Sequence, residues 1–236
     1  MIAVFERSAY VEATGGLACI GDIGNGPLNA SSDSLPRGIG VGDRIRVDLA
    51  GAVAWKPLKK PHWDSAAVSA SLHRLGEAVR GRLPGEGFGE LLDPARERPA
   101  HVDALAHWLA SPLGTPSGAT GLIGLGPGLT PSGDDLVGGA ICALHASGRR
   151  EIAVRLSAWA LPLARDRTNR ISQAHLACAA EGECSESIDD AIVALLSGGS
   201  PDLERIDSIG HTSGWDALAG AVLALQSPAP GYRQES

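Results

Sequence analysis

The stretch 121-GLIGLGPGLTPSGDDLVGGAICAL-144 joins a glycine- and proline-rich run to an apolar segment through two adjacent acids. Glycine and proline punctuate the chain, and the apolar run beyond Ser132 starts a helix. A second copy follows downstream. When 128-GLTPSGDDLVGGAICAL-144 is set above 209-IGHTSGWDALAGAVLAL-225, Ser132 matches Ser213 and Gly133 matches Gly214. Asp135 then matches Asp216, Gly139 matches Gly220, and the apolar tails coincide.

Capping accounts for part of this motif. A serine followed three residues later by an acid, ahead of an apolar run, is a capping-box signature, and the acid complements the helix dipole. Ser132/Asp135 and Ser213/Asp216 fit that pattern. Gly133 and Gly214 do not, because glycine inside a helix costs about 1 kcal/mol relative to alanine. Two glycines placed there imply an unusual backbone angle or the close approach of another group. One such group is an anion, held by N–H groups at the helix start. Gly138-Gly139 and Ala219-Gly220 read as packing residues that let helices come close.

Helical spacing continues on both sides. Val68, Leu72, Leu75 and Val79 mark a helix over 64–81, with Asp64 as N-cap and Gly81 as C-cap. Further helices are expected over 99–111, 149–165, 168–181, 186–197 and 213–226, with a short one at 201–207 after Ser200-Pro201. Segment 84–99 is mostly connection with one turn at Glu90–Asp93, and 227–236 reads as a frayed tail. The first sixty residues differ. Short apolar runs (2-IAVF-5, 17-LACI-20, 45-IRVDL-49, 51-GAVAW-55) alternate with Gly, Asn, Ser and Pro, the pattern of short strands and tight turns. The segment 24-GNGPLNASS-32 reads as a turn. The expected fold is α+β: a small β-rich, barrel-like region over 1–60, then a mainly α-helical domain over 61–236.

Composition narrows the function classes. The 236 residues are 44% hydrophobic and 20% charged but only 4% aromatic, so small aliphatic side chains must fill the core. A net charge of −7 argues against binding a phosphate backbone, and 149-RREIAVR-155 reads as a solvated helix face. No apolar run approaches the ~18 residues of a membrane span. MIAVFERSAY carries charges too early for a secretory signal. Cys19, Cys142, Cys178 and Cys184 form no CxxC pair, which points to reduced thiols and a cytoplasmic location.

Familiar motifs are absent. No lysine follows Lys60, so a Walker lysine is missing, and 124-GLGPG-128 is not a dinucleotide fingerprint. Ser132 has no GxSxG elbow, and no HExxH pair exists among the histidines. Asp134 and Asp135 are candidates for a general base or for a divalent metal, the one cofactor suggested. Neighbours on a helix point about 100° apart, so one acid is expected at the site. The expectation is that Asp135 caps while Asp134 is free to act. Thr168, Ser172 and His175 share one face of an expected helix, with Arg165, Arg167 and Arg170 nearby as guanidinium donors.

The motif GLGPGLTPSGDD, the later TNRIS and the second SG-x-D segment together resemble the AllH-like family, with VFERSAY and GNGPLN as weaker matches. Named members of that family are subunits of oxamate carbamoyltransferase, an assembly of anaerobic allantoin breakdown. The resemblance implies a cytoplasmic, carbamoyltransferase-like subunit that works with unlike subunits on oxalurate and carbamoyl phosphate. Its partners would be small anionic metabolites, with no nucleic acid and no membrane. On this expectation Gly126, Gly128, Thr130, Ser132 and Gly133 hold an anion, and Asp134 or Asp135 orients a reacting group or a metal. Ser132, Asp134 and Asp135 are the catalytic candidates. Thr168, Ser172, His211, Ser213 and Asp216 complete the wall. The rivals are a noncatalytic binding or assembly subunit and a stand-alone enzyme of unrelated metabolism. An enzyme should converge acids and hydroxyls from distant segments, whereas an interface should expose apolar side chains.

Overall fold

The computed structural model describes residues 1–32, 35–58 and 60–227. Strands β1 (Ala3–Val4), β2 (Ser8–Ala13), β3 (Gly16–Gly21) and β4 (Asn29–Ser31) make one sheet in that order. β1, β2 and β3 pair antiparallel, with Ala13 opposite Gly16 at the hairpin, and β4 joins β3 in parallel. Ala9, Val11 and Ile20 bury the apolar face of this sheet. Among the described residues the sheet is open, with β1 and β4 as its edges, and not the barrel-like enclosure the sequence suggests.

Two expected strands are absent. Residues 45–49 and 51–55 carry no ladder; their one turn is closed by the Ala52 N–H donating to the Leu49 carbonyl. Apolar alternation makes a strand only beside a partner edge, and these described residues have none. Val47, Leu49 and Val53 consequently stay exposed. β2 and β4 instead form where the sequence offers weaker signals, β4 within the segment read as a turn.

Eight helices follow among the described residues: α1 (Ser65–Ala78), α2 (Ala100–Ala110), α3 (Ser132–Ala146), α4 (Arg150–Arg167), α5 (Arg170–Ala180), α6 (Glu186–Leu196), α7 (Leu203–Asp207) and α8 (Ser213–Gln226). Short 3-10 segments occupy Gly89–Leu92 and Ser117–Leu122. Asp64 caps α1 as expected, accepting from the N–H groups of Ala66 and Ala67. α7 is capped by Asp202 rather than Ser200, and α5 starts at Arg170 under an Asn169 cap. Thr168 therefore ends α4 instead of lying on α5. The tail expected over 227–236 lies, beyond Ser227, outside the described residues.

α3 and α8 stand side by side at the centre, and α4, α5 and α6 pack around α3. Leu136, Val137, Ala140, Ile141 and Leu144 of α3 are fully buried, as are Leu218, Ala221 and Ala224 of α8. A helix apolar on all sides belongs inside a core, and these two are its axis. The sheet docks on the outer face of α5 and the start of α6. Tyr10 bonds His175 at 2.9 Å, Arg170 pairs with Glu12 at 2.7 Å, and the Glu186 N–H donates to the Asn25 carbonyl at 2.9 Å. The linking segment is tied down by Asp189, which accepts from the Leu58 N–H at 2.9 Å and ion-pairs with Lys60.

Candidate functional site

The two copies of the motif build a pseudo-symmetric pair. A Cβ on Gly139 would overlap the Ala217 carbonyl, and one on Gly220 would overlap the Leu136 carbonyl. Since 136 matches 217 and 139 matches 220 in the repeat, these contacts exchange under a two-fold relation. The N-termini meet as well: Thr130 and Ser213 hydroxyls lie 2.8 Å apart, and those of Ser132 and Thr212 lie 3.5 Å apart. The repeat reaches further upstream, since a Cβ on Gly133 would strike the Leu122 carbonyl and one on Gly214 the Ile206 carbonyl.

This geometry corrects the capping expectation. The N-caps are Pro131 and Thr212, neither with a side-chain cap bond, while Ser132 and Ser213 are the first helical residues. Each serine instead faces the acid of the other copy, Ser213 toward Asp135 and Ser132 toward Asp216. It also corrects the anion expectation at Gly133. The group that approaches this glycine is the chain's own backbone. Its N–H donates to the Leu125 carbonyl at 2.9 Å, and the N–H groups of Asp134 and Asp135 go to the Pro131 carbonyl. Those amides have no donor left for an anion.

The roles of the two aspartates are likewise reversed. Asp134 is 2% exposed. Its carboxylate accepts from the Gly124 N–H at 2.8 Å and the Ser172 hydroxyl at 2.6 Å, so it clamps the glycine-rich loop to α5. Asp135 makes no cap. Its Oδ2, like that of Asp216, is shielded and has no hydrogen-bond partner among the described residues, and the residue lines a cavity of about 870 Å³. Burial pushes the Asp135 carboxyl well above the usual range. The charges of Asp216 and Asp134 push it the same way, against the hydroxyls of Ser213 and Thr130.

The cavity lies between sheet and helices and gathers residues far apart in sequence. Gly128, Thr130, Ser132, Asp134, Asp135, Ser172, His211 and Ser213 of the expected set line it; Gly126, Gly133, Thr168 and Asp216 do not. Gly126 is a turn residue at φ +114° packed on Ser132, and Gly128 at φ +88° has open space where a Cβ would be. Asp216 is fully buried behind the wall, where its Oδ1 accepts from the Phe88 N–H. Arg167 and Arg170 turn elsewhere, to the Thr120 carbonyl and to Glu12. Arg149, expected on a solvated face, is drawn in to bond Ser147 and the Ser227 carbonyl.

Tyr10, contributed by the sheet, was not foreseen from the residues. It lines the cavity beside Asp135 and bonds His175, and burial raises its phenol. Burial lowers His175 to about 4, so its imidazole is neutral at ordinary pH. The spacing of Ser172 and His175 signals their shared face; nothing in the spacing signals Tyr10. Cys19, Cys142, Cys178 and Cys184 also border the cavity. Among the described residues no group of three or more His, Cys, Asp or Glu side chains is arranged to hold a metal. Basic residues stand at the rim: Arg7, paired with Asp22 at 2.9 Å, and His211, 3.5 Å from Glu86.

Residues 122–225 match the family model described as oxamate carbamoyltransferase subunit AllH. Over this segment, less than half of the chain, it is similar to that family. The AllH-like segment begins at the Leu122 carbonyl that seats Gly133 and ends with α8, so it spans both copies of the repeat. The sheet, with Tyr10, precedes it. No curated protein and no solved structure matches the chain. No helix among the described residues is long and apolar enough to cross a membrane.

Proposed function

We propose that this chain is a carbamoyltransferase-like subunit whose cavity receives a small anionic metabolite such as oxamate or carbamoyl phosphate. One observation carries the reading. Asp135, Thr130, Ser213, Ser172, His175 and Tyr10 come from separate segments and converge on one cavity, with a shielded carboxyl oxygen left without a protein partner. Convergent polar groups with a perturbed acid are the mark of a binding or reacting site. The family of the matched segment supplies the reaction class.

The residues suggest a division of work. Asp135 is placed to exchange a proton or a hydrogen bond with the ligand, and Thr130 and Ser213 orient it. Arg7 at the rim supplies positive charge for a carboxylate or phosphate and His211 a ring N–H, a task the occupied helix-start amides cannot perform. A divalent cation, if required, would arrive with the anionic ligand.

Assembly with other chains is part of the same proposal. Val41, Val47, Leu49, Val53 and Leu58 are exposed on one stretch that forms no strand, the exposure expected of a surface that a partner subunit covers.

Thermal shift and calorimetry with oxamate, carbamoyl phosphate and phosphate, with and without Mg²⁺, test the binding claim. Stabilisation by at least one ligand, weakened about ten-fold or more in Asp135→Ala, is the expected result. Wild-type protein that responds to none of them overturns it.

A further inference from the structure

Three cysteines that border the cavity are distant in sequence but close in space. Cys142 lies on α3, Cys178 on α5, and Cys184 in the segment 181–185 that leads into α6. That segment is pressed against α3. The His145 ring bonds the Ala180 carbonyl at 3.0 Å, and a Cβ on Gly182 (φ +83°) would come within 3.0 Å of the His145 side chain. About one turn earlier on α3, the Cys142 thiol donates to the Glu183 carbonyl at 3.7 Å. The Cys184 thiol is hydrogen-bonded to Cys142. Two sulfurs in contact, on backbones this close, meet the geometric demand of a disulfide.

We infer that Cys142 and Cys184 are a redox-active dithiol, reached through the cavity by small hydroperoxides and converted by them to a disulfide. Both sulfurs border the cavity, and Cys142 is otherwise buried, so the cavity is the way in. The Cys142 sulfur, as thiolate, attacks the peroxide. The O–O bond breaks, Cys142 becomes a sulfenic acid, and one water leaves. The Cys184 sulfur then attacks Cys142: the S–S bond forms, the S–O bond breaks, and a second water leaves. In all, two thiols give up two electrons and two protons, and one hydrogen peroxide becomes two waters. Cys142 is the attacking sulfur, because the bond to Cys142 and burial hold the Cys184 thiol well above its ordinary range.

The rival partner for Cys142 is Cys178. It interacts with Cys142 through charge alone, whereas Cys184 is bonded to it. Cys19, on β3, bonds Ser8 and Tyr10 instead. A bridge from Cys142 to Cys184 staples the start of α6 to α3. Glu186 receives Asn25 of the sheet region there, so oxidation fixes the wall on which the sheet docks. The inference does not depend on which ligand the cavity takes.

Thiol mapping tests it. The full chain is treated with hydrogen peroxide, its remaining thiols are alkylated under denaturing conditions, and its peptides are mapped by mass spectrometry. The expected product keeps two of its four free thiols, contains a peptide pair joining Cys142 to Cys184, and regains all four with dithiothreitol. Cys178→Ser should form the same bridge. Cys184→Ser should form none and leave a sulfenic acid on Cys142 that dimedone traps. If that variant does not fold by circular dichroism, Cys184→Ala serves the same comparison. A bridge from Cys142 to Cys178, oxidation of wild-type protein to sulfinic acid without a bridge, or thiols that survive peroxide untouched overturns the inference.

Discussion

Gly139 lies against the backbone carbonyl of Ala217, with no room between them for a methyl group, and Gly220 meets Leu136 in the same way. Two helix backbones in contact through glycine fix the distance between α3 and α8, and hence the distance between their first turns. Gly139→Ala or Gly220→Ala must push the helices apart. Overpacking of this kind costs about 1–3 kcal/mol or more, and a chain of this size loses roughly 2–4 °C of Tm per kcal/mol. Thermal melts of either variant should show a drop of several degrees. An unchanged Tm would mean that the helices are not in backbone contact.

Asp134 and Asp135 are neighbours with opposite expected behaviour. Asp134 accepts from Gly124 and Ser172, so Asp134→Ala strands two shielded donors and should cost roughly 2–4 kcal/mol. Ser172→Ala should reproduce part of that loss. Asp135 holds no backbone N–H in this way, and its removal should cost less stability than that of Asp134 while abolishing ligand response. Denaturant melts of the three variants separate the roles. A large loss from Asp135→Ala would place it in the framework instead.

Much of this architecture was legible in the sequence, and the gaps have physical causes. The match of Ser132, Gly133, Asp135 and Gly139 with Ser213, Gly214, Asp216 and Gly220 marks both central helices correctly. Sequence spacing does not say whether a helix-start serine turns to its own backbone or to a neighbouring helix, so capping was expected and cross-helix pairing is found. The same limit applies to Gly133: its spacing signals close approach but not that the approaching atom is the Leu122 carbonyl. Tyr10 reaches the cavity only through docking of the sheet on α5, a long-range packing event with no local sequence signature. The exposed 45–55 segment reads as strands because its alternation fits a sheet whose partner edge is missing among the described residues.

The shared burial of Asp135 and Asp216 predicts a pH trend. Burial raises both carboxyls above their ordinary range, so the folded state keeps protons that the unfolded chain releases above about pH 4. Stability from the protonated forms is complete below the unfolded value and declines as pH rises through the folded one. Asp135→Asn cannot ionise and escapes its share of that decline. Its Tm relative to wild type should therefore rise between about pH 4 and pH 7. A difference that stays flat with pH would show that Asp135 titrates as an ordinary surface carboxyl.

His175 carries the opposite slope. Burial depresses it to about 4, while an unfolded histidine titrates near 6.5. The folded state thus refuses a proton that the unfolded chain takes up, and stability present in full above about pH 6.5 is lost as pH falls toward 4. His175→Gln, which keeps a polar group near the Tyr10 hydroxyl without a titrating ring, should flatten that acid-side loss. In wild-type protein the ring signals of His175 in an NMR titration should remain those of a neutral imidazole down to about pH 5. Tyr10→Phe removes the 2.9 Å bond to the ring and should cost about 1 kcal/mol without making the ring titrate at ordinary pH, because burial and not the tyrosine sets its value. A His175 midpoint near 6.5 in wild-type protein would mean that the sheet does not close over α5, and the cavity wall it forms with Tyr10 would fall with it.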